Sequence, residues 1–145
     1  MLKEIKGNLF LSDITSICHG CNTHGLMGAG IARQFAQRYP KMVVEYQKLC
    51  RTGNFQIGDC YLYEAGDGRI IGNLGTQEKP GADARLEAIE LSLEKFIISL
   101  NSFGYKELAM PKIGCGIGGL EWTDVCPLVE KLAEKYSFDI VVYYI

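Results

Sequence analysis

Two glycine-rich segments, Gly25 to Gly30 (GLMGAG) and Gly114 to Gly119 (GCGIGG), each lie between an apolar strand-like run and a helix-like run. Without a Cβ in the way, backbone N–H groups can approach a ligand closely, and rows of such donors suit oxyanions. Two such loops meeting beside one sheet would cradle a diphosphate, so the first chemistry these residues suggest is capture of a nucleotide-like anion. A second cluster, Cys18-His19-Gly20-Cys21 with His24, has the C-x-x-C spacing of zinc and redox sites. Structural zinc wants four ligands, however, and no second pair follows. An odd separation along a strand also turns Cys18 and Cys21 to opposite faces. No metal and no cofactor is expected from them. His24 follows the apolar run, and an imidazole titrating near ~6.5 can act as general acid or base at neutral pH. His19 lies inside the run and reads as structural.

Placing these groups requires a scaffold, and length sets its scale. A chain of 145 residues suits one domain, 1–145, which at this size buries roughly 70% of its unfolded surface. Fifteen Lys+Arg against 17 Asp+Glu give a net charge of -2, with the basic residues scattered singly. An extended nucleic-acid footprint is therefore not expected. An anion would be held by amides and helix N-termini. The start, MLKEIKGNLF, has no apolar signal core, and no run is long enough to span a bilayer. The expectation is a cytoplasmic protein with no membrane partner, whose six cysteines are reduced thiols.

Strands and helices alternate along the chain. Leu2 to Ile5 and Ile14 to Cys21 read as strands. A helical face at Ile31, Phe35 and Arg38 or Tyr39 is closed by Pro40, and Met42 to Cys50 makes a second short helix. Cys60 to Glu64 and Arg69 to Leu74 flank Ala65-Gly66-Asp67-Gly68, which suits a hairpin; Gly75 to Ala82 reads as a loop. Apolar residues at helical spacing predict a long helix over Asp83 to Leu100. Glu107 to Met110 is a short strand ending at Pro111. A last helix around Val125 to Tyr136 takes Thr123 or Asp124 as its N-cap, with Pro127 in its first turn. Ile140 to Ile145 is an all-apolar strand that implies burial on both faces. The sum is an α/β fold, a three-layer α/β/α sandwich around a mostly parallel mixed sheet of about six strands. In such folds ligands sit beyond the carboxyl ends of the strands, where both glycine loops leave.

Neither loop fits a common nucleotide motif. Arg33 stands where a dinucleotide fingerprint needs its third glycine, and the G-K-[ST] of a P-loop is absent. The stretches KGNLF (Lys6 to Phe10), CNTHGLMGAGIARQF (Cys21 to Phe35), GNLGTQ (Gly72 to Gln77) and MPKIGCGIGGLEW (Met110 to Trp122) together resemble a macrodomain. The likeness covers nearly the whole chain and points to the branch that holds terminal ADP-ribose protein glycohydrolase and the ADP-ribose-1''-phosphate phosphatases.

That resemblance implies ADP-ribose, or a derivative of it, as ligand. It puts Asn8 at the adenine amino group, where most relatives carry Asp, with Leu9 and Phe10 lining the adenine pocket and Tyr143 or Tyr144 adding aromatic surface. Asn22 would contact the distal ribose, and Gly28, Ala29, Gly30 and Ile31 would wrap that ribose and the α-phosphate. Gly114, Cys115, Gly116, Ile117, Gly118, Gly119 and Leu120 would close over the diphosphate, and Trp122 would anchor that loop by packing below it. Two departures bear on chemistry. Gln77, after Thr76, stands where glycohydrolases of this branch carry a nucleophilic lysine, and Gly118 aligns with an acidic residue of some relatives. A Schiff-base route needs an amine, and the nearest, Lys79, is two residues away. What the resemblance leaves near the distal ribose is Asn22, Thr23, His24 and Gln77, read as orienting ribose and water, relaying protons, and holding the water or leaving group. Dephosphorylation of ADP-ribose-1''-phosphate is the first expectation. The alternatives are a reader that binds ADP-ribose without turnover, or a hydrolase releasing ADP-ribose from protein, nucleic acid or O-acyl adducts, in which case an ADP-ribosylated macromolecule is a partner.

Overall fold

Period-2 apolar runs and period-3.6 faces resolve into six strands and four α-helices in the computed structural model, which describes residues 1–145. The strands are β1 (Leu2–Lys6), β2 (Ser16–Asn22), β3 (Cys60–Glu64), β4 (Ile70–Gln77), β5 (Glu107–Pro111) and β6 (Asp139–Tyr144). The helices are α1 (Gly30–Arg38), α2 (Pro40–Arg51), α3 (Leu86–Ser102) and α4 (Trp122–Tyr136). They form one mixed sheet in the order β1-β6-β5-β2-β4-β3, parallel throughout except for the β3–β4 hairpin at one edge.

Alternation of side chains divides the core. Cys18, Ile70, Leu74, Leu108 and Val142 face α3 and α4, whereas Ile17, Cys21, Ile71 and Ala109 face α1 and α2 with Phe35, Met42 and Tyr46. The result is the expected three-layer sandwich, and Cys18 and Cys21 do fall on opposite faces. On the α3 face, Gly72 of β4 lets the sheet approach Phe96: a Cβ there would lie 2.8 Å from three atoms of the ring. His19 is fully buried, donates its Nε2–H to Asn73 Oδ1 at 2.7 Å, and stacks on Phe35 with ring centres 3.9 Å apart.

Several boundaries differ from the sequence reading. Gly75 to Gln77 is strand, not loop: Gly75 donates to Asp59 and accepts from Gly58 at 2.8 Å each, so β4 runs on to Gln77. Helix α4 starts at Trp122 with Glu121 as a cap that gives no side-chain bond, so Thr123 and Asp124 sit inside its first turn and Pro127 lies beyond it. Helix α3 begins at Leu86, after Asp83 has instead taken the N–H groups of Glu78 and Lys79 on one carboxylate oxygen. Strand β6 buries Ile140 and Val142, but Val141 and Tyr143 are only half-buried, and Tyr143 borders an open crevice at the strand's end.

At the centre of the sheet, β2 and β5 share a single ladder pair, Ile17 with Ala109, while β5 pairs with β6 along its whole length. The two strands that feed the glycine loops are therefore neighbours joined by a short seam. No helix of the chain is long and apolar enough to cross a membrane.

Candidate functional site

A crevice of about 1130 Å³ opens at the carboxyl ends of all five parallel strands. Its walls come from Lys6 to Leu9 after β1, Gly20 to Asn22 ending β2, Thr76 and Gln77 ending β4, Pro111 ending β5, and Tyr143 to Ile145 around the end of β6. That is where an open α/β sheet offers a ligand site.

Both glycine loops border it. Gly28, Ala29, Gly30 and Ile31 line one side, and Gly114 to Gly118 line the other, Cys115 and Ile117 included. Helix α1 enters the crevice without a side-chain cap, since its N-cap residue is Ala29. The first N–H groups of a helix have no partner within it and favour an anion there. Gly30 takes φ 57° and Gly114 φ 79°, conformations that a side chain would strain. The glycines of the second loop do not all serve the crevice. A Cβ on Gly114 would meet Ile89 at 2.6 Å, and one on Gly119 would meet Ala82 at 2.9 Å. Gly119 and Leu120 do not line the crevice; Leu120 packs against the α3–α4 core cluster, as does Trp122.

Asn22 is buried at the end of β2 and its side chain is committed to the first loop. Oδ1 accepts from the N–H groups of His24 (3.0 Å) and Leu26 (3.2 Å) and from the Tyr46 hydroxyl (3.1 Å), and Nδ2 donates to the Leu26 carbonyl at 2.7 Å. This turn sends His24 outward: it is exposed and does not line the crevice, so the grouping of Asn22, His24 and Gln77 is not assembled. Thr23 also stays off the crevice walls, whereas Thr76 lies on them.

Gln77 is placed differently. Its Nε2 donates to the carbonyls of Lys79 (2.6 Å) and Gly81 (2.8 Å), which fixes the loop after β4. Its Oε1 accepts no hydrogen bond from the protein and faces the second glycine loop, 3.6 Å from where Gly118 would carry a Cβ. Lys79 is outside the crevice.

At the other end, Asn8, Leu9, Tyr143 and Tyr144 form a largely apolar, aromatic recess. Phe10 turns away from it: its ring packs edge-on to Phe35 at 4.7 Å, with the Arg38 guanidinium 4.2 Å above it. Sequence reasoning passed over Lys112, Leu26, Gln34 and the Pro80-Gly81 pair, all of which line the crevice. Lys112 follows the β5 end directly, and that position was the available signal. Its Nζ stands 3.7 Å from Glu4 and 4.6 Å from the centre of the Tyr144 ring.

Lys6 and Lys112 are the charged side chains of the lining, which contains no carboxylate and no imidazole. Burial pushes the thiols of Cys21 and Cys115 above their ordinary values, so both are neutral and poor nucleophiles. The arrangement can hold an elongated anion between uncapped amides, seat a flat apolar group at the Tyr143 end, and order a water at Gln77.

Residues 18–129 match the model of the Macro domain family. The chain is similar to the "DNA ADP-ribosyl glycohydrolase" of Mycobacterium tuberculosis, 34% identical over 147 residues that cover 99% of this chain and 42% of the relative. It is also similar to the "ADP-ribose 1''-phosphate phosphatase" of Lodderomyces elongisporus, 30% identical over 157 residues, 97% of this chain and 98% of that protein. Among solved structures it resembles DarTG of Thermosipho africanus in complex with ADP-ribose, with TM-score 0.86 at 28% identity over 98% of this chain and 41% of that one. The chain thus spans about two fifths of the length of the DNA ADP-ribosyl glycohydrolases it matches.

Proposed function

The chain belongs to the Macro domain family, and from that premise we propose that its crevice binds ADP-ribose and hydrolyses an ADP-ribose derivative at the distal ribose, with ADP-ribose-1''-phosphate as the substrate. The observation that carries the reading is the convergence of the two glycine loops, from neighbouring strands β2 and β5, on one crevice with an uncapped helix N-terminus. The diphosphate lies between the loops, the base in the recess of Leu9 and Tyr143, and the distal ribose beside Asn22 and Gln77.

With no lysine, carboxylate or imidazole at that end of the crevice, the nucleophile is water. Gln77 Oε1 accepts one of its hydrogens, and the other interacts with a phosphate oxygen of the substrate itself. The new bond joins water oxygen to phosphorus, the bond between phosphorus and O1'' breaks, and the released proton goes to O1''. Asn22 contributes by shaping the loop that holds the ribose.

A second reading is a module that binds ADP-ribose without turnover. It is favoured by the same lack of a titrating acid or base in the lining. Melting curves with ADP-ribose followed by phosphate release from ADP-ribose-1''-phosphate separate the outcomes. Ligand at a hundredfold its Kd adds about 2.7 kcal/mol, a rise of roughly 5–11 °C. No rise rejects both readings; a rise without phosphate release leaves the binding module.

A further inference from the structure

Both edges of the sheet are open, and they differ in chemistry. At one edge β1 exposes Lys3, Glu4 and Lys6, charges of the kind that keep a further strand from adding. At the other edge β3 reads Cys-Tyr-Leu-Tyr-Glu and carries a charge only at its last residue. Its hairpin bonds run from the Gly75 N–H to the Asp59 carbonyl and from the Ala65 N–H to the Arg69 carbonyl, 2.8 Å each, in the register that pairs Tyr61 with Asn73 and Tyr63 with Ile71. Hydrogen-bonded pairs alternate in an antiparallel ladder, so Tyr61 and Tyr63 turn their main-chain groups to β4, whereas Cys60, Leu62 and Glu64 turn theirs to the open edge. No turn or loop of the chain supplies those outward groups with a hydrogen bond. An exposed apolar row follows the same edge on α3. Leu91 (52% exposed) lies against Gly58, its Cδ1 3.3 Å from where a Cβ would stand; Ile98 (50%) follows two turns on; and Phe103 (60%) borders a small hollow with Glu64. Between Leu91 and Ile98, Lys95 reaches Asp59 at 3.0 Å, and its charge acts on the Cys60 thiol. Glu64 pairs with no cation of its own chain.

We propose that β3 pairs antiparallel with β3 of a second copy of this chain, about a twofold axis at Leu62, so that the two sheets become one. In this register Leu62 exchanges both main-chain bonds with the partner's Leu62, and Cys60 does so with the partner's Glu64, which satisfies every outward N–H and C=O. Tyr61 falls opposite the partner's Tyr63, a cross-strand aromatic pair of the favourable kind, on the face where Tyr63 already meets Tyr39. The partner's Glu64, lying across from Cys60, brings its unpaired carboxylate within the field of Lys95. Helix α3 runs alongside β3 in the same direction, from Leu91 beside Gly58 to Phe103 beside Glu64. The two copies of α3 therefore come together antiparallel, Leu91 toward the partner's Phe103 and Ile98 toward the partner's Ile98. A slip of one residue would set the outward groups against ones already spent on β4, and a slip of two would leave some unpaired. One register thus matches main-chain bonds, rings, charge and apolar row together, and that self-complementarity selects a second copy over an unrelated strand. None of these residues lines the crevice, so the pairing is independent of the ligand.

The test is analytical ultracentrifugation from low micromolar to submillimolar protein, joined to residue-resolved amide exchange. The parent should pass from monomer to dimer as concentration rises. The amides of Cys60, Leu62 and Glu64 should gain protection together, while those of Tyr61 and Tyr63 are protected throughout. Glu64→Lys turns each contact with Lys95 into repulsion and should weaken the dimer about tenfold; adding Lys95→Glu should restore it. Ile98→Lys, at an exposed helix position, should give a monomer that unfolds as cooperatively as the parent. A parent that stays monomeric over the whole range overturns the proposal. So does a dimer whose edge amides go on exchanging freely, or one that withstands both Glu64→Lys and Ile98→Lys. Failure of the charge exchange to restore pairing would overturn the register about Leu62.

Discussion

The side chain of Ile117 reaches across the crevice to Gly30: its Cδ1 lies 3.1 Å from the place where a Cβ on Gly30 would stand. One residue from the second glycine loop thus roofs the first residue of α1, over the proposed diphosphate position. Ile117 is 56% exposed, so its contact closes the roof without adding much to the core.

Replacing Ile117 by Ala should therefore separate binding from stability. The unfolding free energy should stay within about 0.5 kcal/mol of the parent, as for most surface changes. ADP-ribose should dissociate roughly tenfold faster, since contacts that cover a ligand act mainly on its off-rate. Stopped-flow release of ADP-ribose checks this, and an unchanged off-rate would mean that Ile117 does not cover the ligand.

Gln77→Ala tests the water site. It removes the two donors that hold Lys79 and Gly81 and the acceptor Oε1 that faces Gly118. Phosphate release should fall roughly a hundredfold, the lower end of what a lost positioning or proton-handling group costs. Gln77→Glu restores an acceptor but sets a carboxylate against two carbonyl oxygens, so it should not rescue the rate. Parent-like turnover in Gln77→Ala would place the attacking water elsewhere.

His19 makes stability depend on pH. Burial lowers its pKa from 6.5 to about 4, with the Asn73 hydrogen bond opposing this. The unfolded chain therefore binds a proton that the native chain refuses. Stability is fully present above about 6.5 and is lost as pH falls from there toward about 4, by roughly 3 kcal/mol over the whole window. Urea unfolding at pH 7.5, 6 and 4.5 measures this loss. In His19→Gln the protein should be less stable at pH 7.5, yet this part of the pH dependence should vanish; a slope that persists would assign it to other groups.

Gly72→Ala should be felt throughout the α3 side of the core. The added methyl would sit 2.8 Å from the Phe96 ring, which is buried and cannot swing clear. Overpacking of this kind costs about 1–3 kcal/mol. Phe96→Leu in the same chain should recover part of the loss by vacating the ring's volume, and thermal unfolding of the single and double variants reads both effects.

The sequence made the layers, the hairpin and the meeting of the glycine loops legible, because each rests on local periodicity or on backbone geometry that only glycine permits. It misled where one residue type serves two purposes. Gly75 looked like a turn residue, yet it is a strand residue that must be glycine because a Cβ would lie 2.6 Å from the Gln56 carbonyl oxygen. Thr123 and Asp124 carry the chemistry of caps, but Trp122 packs against the α3–α4 core cluster and begins the helix before them. His24 follows Asn22 by two residues, and only the hydrogen bonds of the Asn22 turn show that the imidazole is directed away. Lys112 lies within the stretch Met110 to Trp122 but was given no role there; its place in the crevice is set by where β5 ends.

The short seam between β2 and β5 divides the molecule into two leaves, one carrying the first glycine loop and the other carrying the second. A ligand gripped by both loops works as a stitch across the line where the sheet has least main-chain pairing of its own. Occupancy should then slow amide exchange in the leaves' facing strands more than at the outer edges, and the gap between the loops becomes a width set by the guest.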